Sequence, residues 1–142
     1  MKRIATIALS IAATLLTSGS AFAQSHTAKA TVPFNFTVNG NTMPAGTYSI
    51  HSRSIEGNLV TLGDAEQKVN MLALGQVDSN GPVQAGVLVF HKYGDRYFLS
   101  EVRYPSSSVK VYFPESRDEK RAKEGILEGS VRADNNLLIA LR

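Results

Sequence analysis

Two β-rich runs flank a Gly94-Asp95 turn in the stretch from Gly86 to Tyr104. Val87, Leu88, Val89, Phe90 and Tyr93 precede the turn, and Tyr97, Phe98, Leu99, Val102 and Tyr104 follow it. β-Branched and aromatic side chains pack well on a pleated surface, so this stretch predicts a hairpin. Gly94 can take a positive φ without steric cost, and Asp95 can bond its own backbone in a turn. Two registers are open. A two-residue loop pairs Tyr93 with Arg96 and His91 with Phe98. A three-residue loop pairs Tyr93 with Tyr97 and His91 with Leu99. In either register both faces carry apolar groups. The hairpin is therefore expected inside a sheet, covered on both sides by a second sheet, a helix or a partner chain.

The beginning of the chain reads as a signal, not as fold. Lys2 and Arg3 precede an apolar run from Ile4 to Thr17, and Ala21-Phe22-Ala23 matches the small-x-small pattern of signal peptidase. Cleavage after Ala23 is expected to leave one domain, 24–142, exported to the periplasm or beyond. The apolar run falls short of the roughly 20 residues that span a membrane, and the mature chain has no second candidate. The 119 mature residues suffice for a core without staples. The chain has no cysteine, which excludes disulfides, thiol catalysis and cysteine metal sites. The formal charge of +3 includes Lys2 and Arg3. The mature chain has 13 basic and 12 acidic residues, so its charge gives no case for nucleic acid or anionic lipid.

Gln24 to Lys29 reads as a loose terminus. Ala30, Val32, Phe34, Phe36 and Val38 then alternate with polar residues and Pro33. That period predicts a strand with one buried face, at an edge or bulged at Pro33. Further short strands are expected near 47–52, 59–62, 69–74, 109–113 and 137–141, with turn signals at Asn39-Gly40-Asn41 and Asp78 to Pro82. Glu115 to Glu124 is the one helix-prone piece, and Ile126 to Ala133 is weakly strand-like. This rhythm predicts an all-β fold, a small antiparallel sandwich or barrel of about eight strands, with one short charged helix near the C-terminal third.

Two pieces together carry a resemblance. The first is Val32-Pro33-Phe34-Asn35-Phe36 followed by Met43-Pro44-Ala45-Gly46-Thr47-Tyr48. The second runs from Phe90 to Val102. Over Ala30 to Val102 the chain resembles a family of short exported proteins common in acidobacteria, a family without an assigned activity. The resemblance implies a secreted small β-domain and brings no catalytic residues with it.

The chemistry-bearing residues form no recognised constellation. His26, His51 and His91 are far apart, without an HExxH pair. His91 lies near Glu101 in some hairpin registers, which would make a proton-transfer pair or part of a metal site. An ordinary strand histidine is the plainer alternative. No Gly-x-Ser-x-Gly elbow or phosphate-binding glycine loop occurs. Asp64, Glu66 and Glu101 are candidates for paired carboxylates, though spacing in sequence does not set their separation in space. Glu115 to Glu124 carries four acidic and four basic residues. As a helix it would place Glu119–Lys123 and Lys120–Glu124 pairs at i,i+4, offset by the like-charged Glu115–Glu119 and Arg117–Arg121. It reads as a solvated face, or as a docking helix for a charged partner. Tyr93, Tyr97, Tyr104 and Tyr112 either fill a β core or line a ligand face.

The expected function is that of a non-enzymatic binding or interaction domain of the cell envelope, with no cofactor. His91, Tyr93, Tyr97, Glu101 and Tyr104 are its candidate surface. Its partner would be a protein, a second copy of itself, or a small apolar or carbohydrate ligand. The alternatives are a small-molecule carrier with a lipocalin-like barrel cavity and a polysaccharide-active hydrolase on a β scaffold.

Overall fold

A computed structural model describes residues 27–52, 58–64, 66, 69–82, 85–127 and 136–142. The expected signal peptide, 1–23, lies outside the described residues.

Eleven strands and one helix follow along the described chain. They are β1 (Thr27–Val32), β2 (Phe36–Val38), β3 (Asn41–Met43), β4 (Gly46–Ser52), β5 (Leu59–Asp64), β6 (Val69–Leu74), β7 (Gln76–Asp78), β8 (Val87–Tyr93), β9 (Arg96–Arg103), β10 (Lys110–Tyr112), α1 (Arg117–Leu127) and β11 (Asn136–Ala140). The strands form two sheets. The first has the order β1-β4-β5-β6. The second has the order β11-β8-β9-β10-β7, with β2 joining β9 and β3 joining β2. The pairings are antiparallel except β2 with β9, which meet in parallel at Thr37 and Phe98. The fold is the expected all-β class with more, shorter strands, and of the two expected architectures it is the sandwich.

Local chemistry explains the segmentation. Pro33 ends β1 instead of bulging a continuous strand, because it has no N–H for a ladder. β1 and β2 thus enter different sheets. β1 begins at Thr27, so 27–29 belong to the fold and not to a loose terminus. Gly75 turns the chain from the edge of the first sheet into β7 of the second. A Cβ there would lie 2.4 Å from Val111 Cγ1 and 2.7 Å from the Tyr112 carbonyl oxygen, so only glycine fits this corner without displacement. At the opposite corner Lys29 and Arg142 exchange two backbone hydrogen bonds of 2.9 Å. The two corners tie the sheets together.

Alternation sets the core. Ala28, Ala30 and Val32 of β1 point inward, as do Tyr48 and Ile50 of β4 and Val60 and Leu62 of β5. They meet Leu88, Phe90, Leu99 and Val102 from the hairpin. Phe36 links the two layers, edge-on to Tyr48 at 5.4 Å and to Phe90 at 5.3 Å. Phe36, Tyr48, Phe90 and Tyr104 are all fully buried. Large aromatic side chains therefore occupy the space between the sheets, and the fold is not the closed barrel that the lipocalin-like alternative expects.

The hairpin adopts the two-residue register, with Tyr93 opposite Arg96 and His91 opposite Phe98. Gly94 has φ +61°, as the tight loop requires. A bulge at Val89/Phe90 then sets Phe90 against Leu99 and Val89 against Glu101. β8 and β9 lie inside the second sheet, and both of their faces are covered. Leu88 and Phe90 face the first sheet, while Val89 and Phe98 are buried on the side where α1 packs against β8.

Candidate functional site

The outer face of the hairpin and the start of α1 bring several charged side chains together. Ser116 caps the helix: its Oγ accepts the Glu119 N–H at 3.1 Å, and its carbonyl accepts the Lys120 N–H at 3.0 Å. The sequence Ser116-Arg117-Asp118-Glu119 has capping-box spacing. Glu119 nevertheless turns toward the sheet, where one of its carboxylate oxygens lies 2.7 Å from His91 Nδ1. Glu119 is buried and His91 is partly exposed. Lys123 donates to Glu115 at 2.9 Å. The i,i+4 pair expected between Glu119 and Lys123 is replaced by these two contacts. The first turn of the helix rests on the sheet, so Glu119 finds His91, and Lys123 reaches back to the partly exposed residue before the cap. One ligand atom each from His91, Glu115 and Glu119 lies within 4.8 Å of the others.

The cluster shifts the protonation of its members. The hydrogen bond to Glu119 raises the His91 pKa above its usual 6.5; burial opposes this, and the charges of Glu119 and Glu115 add to it. Lys123 holds the Glu115 carboxyl below its ordinary range, mainly through their hydrogen bond.

The other expected site residues are dispersed. Glu101 is buried opposite Val89 and accepts two hydrogen bonds from the Arg103 guanidinium, at 2.7 and 3.0 Å. The bulge register thus gives Glu101 and His91 different partners. Tyr93 stands on the outer face between His91 and Phe98, with ring centroids 6.1 and 5.9 Å away. Tyr97 stacks on Phe34 at 3.9 Å on the core side, with the Lys92 ammonium 5.5 Å from its ring. Tyr104 is a core residue. The five are therefore split: Tyr97 and Tyr104 lie on the core side, and His91, Tyr93 and Glu101 on the outer side, where Glu101 is buried. Asp64 and Glu101 do not face one groove. Asp64 is buried on the inward side of β5, and Glu101 lies on the outer side of the other sheet. Glu66 is exposed.

A second feature escaped sequence reasoning. β6 is the terminal strand of the first sheet, and its outward residues Leu72 and Leu74 are 57% and 60% exposed. Leu74 lies opposite Leu59, and Leu72 opposite Thr61. Thr27, His51, Thr61 and Leu72 form one cross-strand row. Among the described strand residues of this outer face, Lys29 alone carries a charge. The ladder also fixes where the β6 backbone points. Gly75 N–H donates to the Asn58 carbonyl at 2.8 Å, so alternate residues Ala73 and Met71 turn their polar backbone groups toward β5. Those of Leu74, Leu72 and Asn70 turn to the edge, where no other described strand pairs with β6. Asn39 takes the Leu74 carbonyl there at 2.9 Å. Val69 to Leu74 reads as a strand in the sequence, but an outward leucine looks like an inward one until the sheet order is known.

Comparison with known protein families, with curated proteins and with solved structures finds no match to this chain.

Proposed function

We propose that this protein is an exported, non-enzymatic interaction domain of the cell envelope, and that it docks an extended segment of a partner protein along β6. The observation that carries this reading is the β6 edge itself. It offers outward backbone groups beside two exposed leucines on an almost uncharged face. An edge strand kept from pairing usually bears a lysine, a proline or a bulge. The six residues Val69–Leu74 contain neither charge nor proline. An added strand would satisfy the open backbone groups, and its alternate apolar side chains would cover Leu72 and Leu74. The near-neutral face favours a partner segment of polar and apolar residues over a highly charged one. Export rests on the signal-like pattern of the first 23 residues.

Site-specific photocrosslinking tests the docking. A photoreactive side chain at Leu72 is expected to crosslink one defined peptide of a partner, or of a second copy. The same group at Thr47, on the outer face beside β1, is expected to give no such product. Equal or absent crosslinking at the two positions would overturn the proposal.

A further inference from the structure

The His91, Glu115 and Glu119 cluster has a use that an interaction domain does not require. We infer that it is a binding site for one divalent transition cation of the zinc class. Nδ1 of His91 and one carboxylate oxygen from each glutamate supply a mixed nitrogen and oxygen set, the donor type that zinc accepts. Donors around one ion about 2.1 Å away cannot be farther apart than about 4.2 Å. One ligand atom from each of the three residues lies within 4.8 Å of the others, and Nδ1 is already 2.7 Å from Glu119, so a small rotation of the partly exposed Glu115 side chain closes the set.

The supports of the site are unequal. His91 is fixed on β8 inside a sheet, and Glu119 is held by the capped first turn of α1. Glu115 is the adjustable arm. Glu115 and Glu119 are also like charges brought close together, an arrangement that disfavours ionising both unless cations compensate. In the structure Lys123 bonds Glu115, and His91 bonds Glu119, adding a second positive charge when its imidazole is protonated. The cluster therefore already draws one cation, the Lys123 ammonium, to Glu115. A metal ion would take the Nδ1 position from a proton and the Glu115 oxygen from the Lys123 ammonium, which would swing into solvent. Lys123 is thus a built-in competitor. Metal binding would tie α1 to β8 through coordination in place of hydrogen bonds.

The test is calorimetric titration of EDTA-treated mature protein with zinc chloride, and with magnesium chloride in parallel. Zinc is expected to bind with a stoichiometry of one and to raise the melting temperature, with magnesium much weaker. Glu115→Gln is expected to weaken zinc binding on the order of tenfold or more. Lys123→Met is expected to tighten it. Both positions are partly exposed, so neither change threatens the fold as His91→Gln does. No zinc binding, equal magnesium binding, unaltered affinity in Glu115→Gln, or no tightening in Lys123→Met would each overturn the inference.

Discussion

His91 Nδ1 lies 2.7 Å from a Glu119 carboxylate oxygen and joins strand β8 to helix α1. The helix needs this contact. Apart from Ala122, the apolar residues of α1 are confined to its last turn, at Ile126 and Leu127, so the turns that lie near His91 have little greasy surface to bury. Its attachment depends on a charged pair, and charged pairs respond to pH.

The direction of that response follows from the shifts. The folded-state pKa of His91 is raised. Its contribution to stability is therefore complete below the usual imidazole pKa of about 6.5 and is lost as pH rises through the raised folded value. Glu115 is lowered, so its contribution is present above its ordinary 4.5 and is lost as pH falls through the lowered folded value. The helix attachment is strongest between these limits. His91→Gln is expected to cost about 1–2 kcal/mol at pH 6 and much less at pH 8.5. Thermal melts of metal-free protein at the two pH values check this, and an equal loss at both would contradict it.

Gly75 is expected to be intolerant of any side chain. Even the methyl of Gly75→Ala would meet Val111 Cγ1 at 2.4 Å and the Tyr112 carbonyl oxygen at 2.7 Å. Relief requires β10 to move away from the corner. Overpacking of this kind costs about 1–3 kcal/mol. Urea unfolding measures it. Gly94→Ala offers a comparison, since a Cβ there meets nothing within 4 Å and the only strain is from its positive φ.

Two tyrosines should ionise late. Burial pushes Tyr48 up to about 12, helped by the nearby Asp64 charge. Burial also pushes Tyr104 up to about 12, against a hydrogen bond with Ser52 that lowers it. A raised tyrosine means that the folded chain holds its proton longer than the unfolded chain. Stability is then expected to fall as pH rises from about 10 toward 12. Ultraviolet titration should show these two phenols ionising above the usual tyrosine value of about 10 or together with unfolding. Tyr48→Phe removes the hydrogen bond to the Pro44 carbonyl and is expected to cost about 1 kcal/mol.

The sequence carries part of this account plainly. The hairpin is legible because glycine, aspartate and flanking β-formers leave it few other conformations. Its apolar residues on both faces correctly place it inside a sheet. Pro33 is visible as an interruption, but whether a chain bulges or changes sheets there depends on which partners await Phe36, and β9 is 60 residues away. The helix is legible as a charged segment, while its cap at Ser116 emerges from the hydrogen bond to Glu119. The His91–Glu119 contact is not, because it joins residues 28 apart and depends on how α1 lies over the hairpin. Glu101 was a reasonable partner for His91 until the bulge at Val89/Phe90 set the register. Tyr104 illustrates the same limit: a strand-end tyrosine suits a ligand face and a core equally, and only the second layer decides.

Docking of a partner strand on β6 is tested most directly by native mass spectrometry of the protein taken gently from its host. The wild-type chain is expected as a defined complex, with another protein or with a second copy. Leu72→Lys combined with Leu74→Lys puts charge on the docking edge. Both positions are more than half exposed, so the double variant should keep the wild-type melting temperature and appear as a monomer. A monomeric wild-type chain, or a double variant that keeps the same complex, would contradict the account.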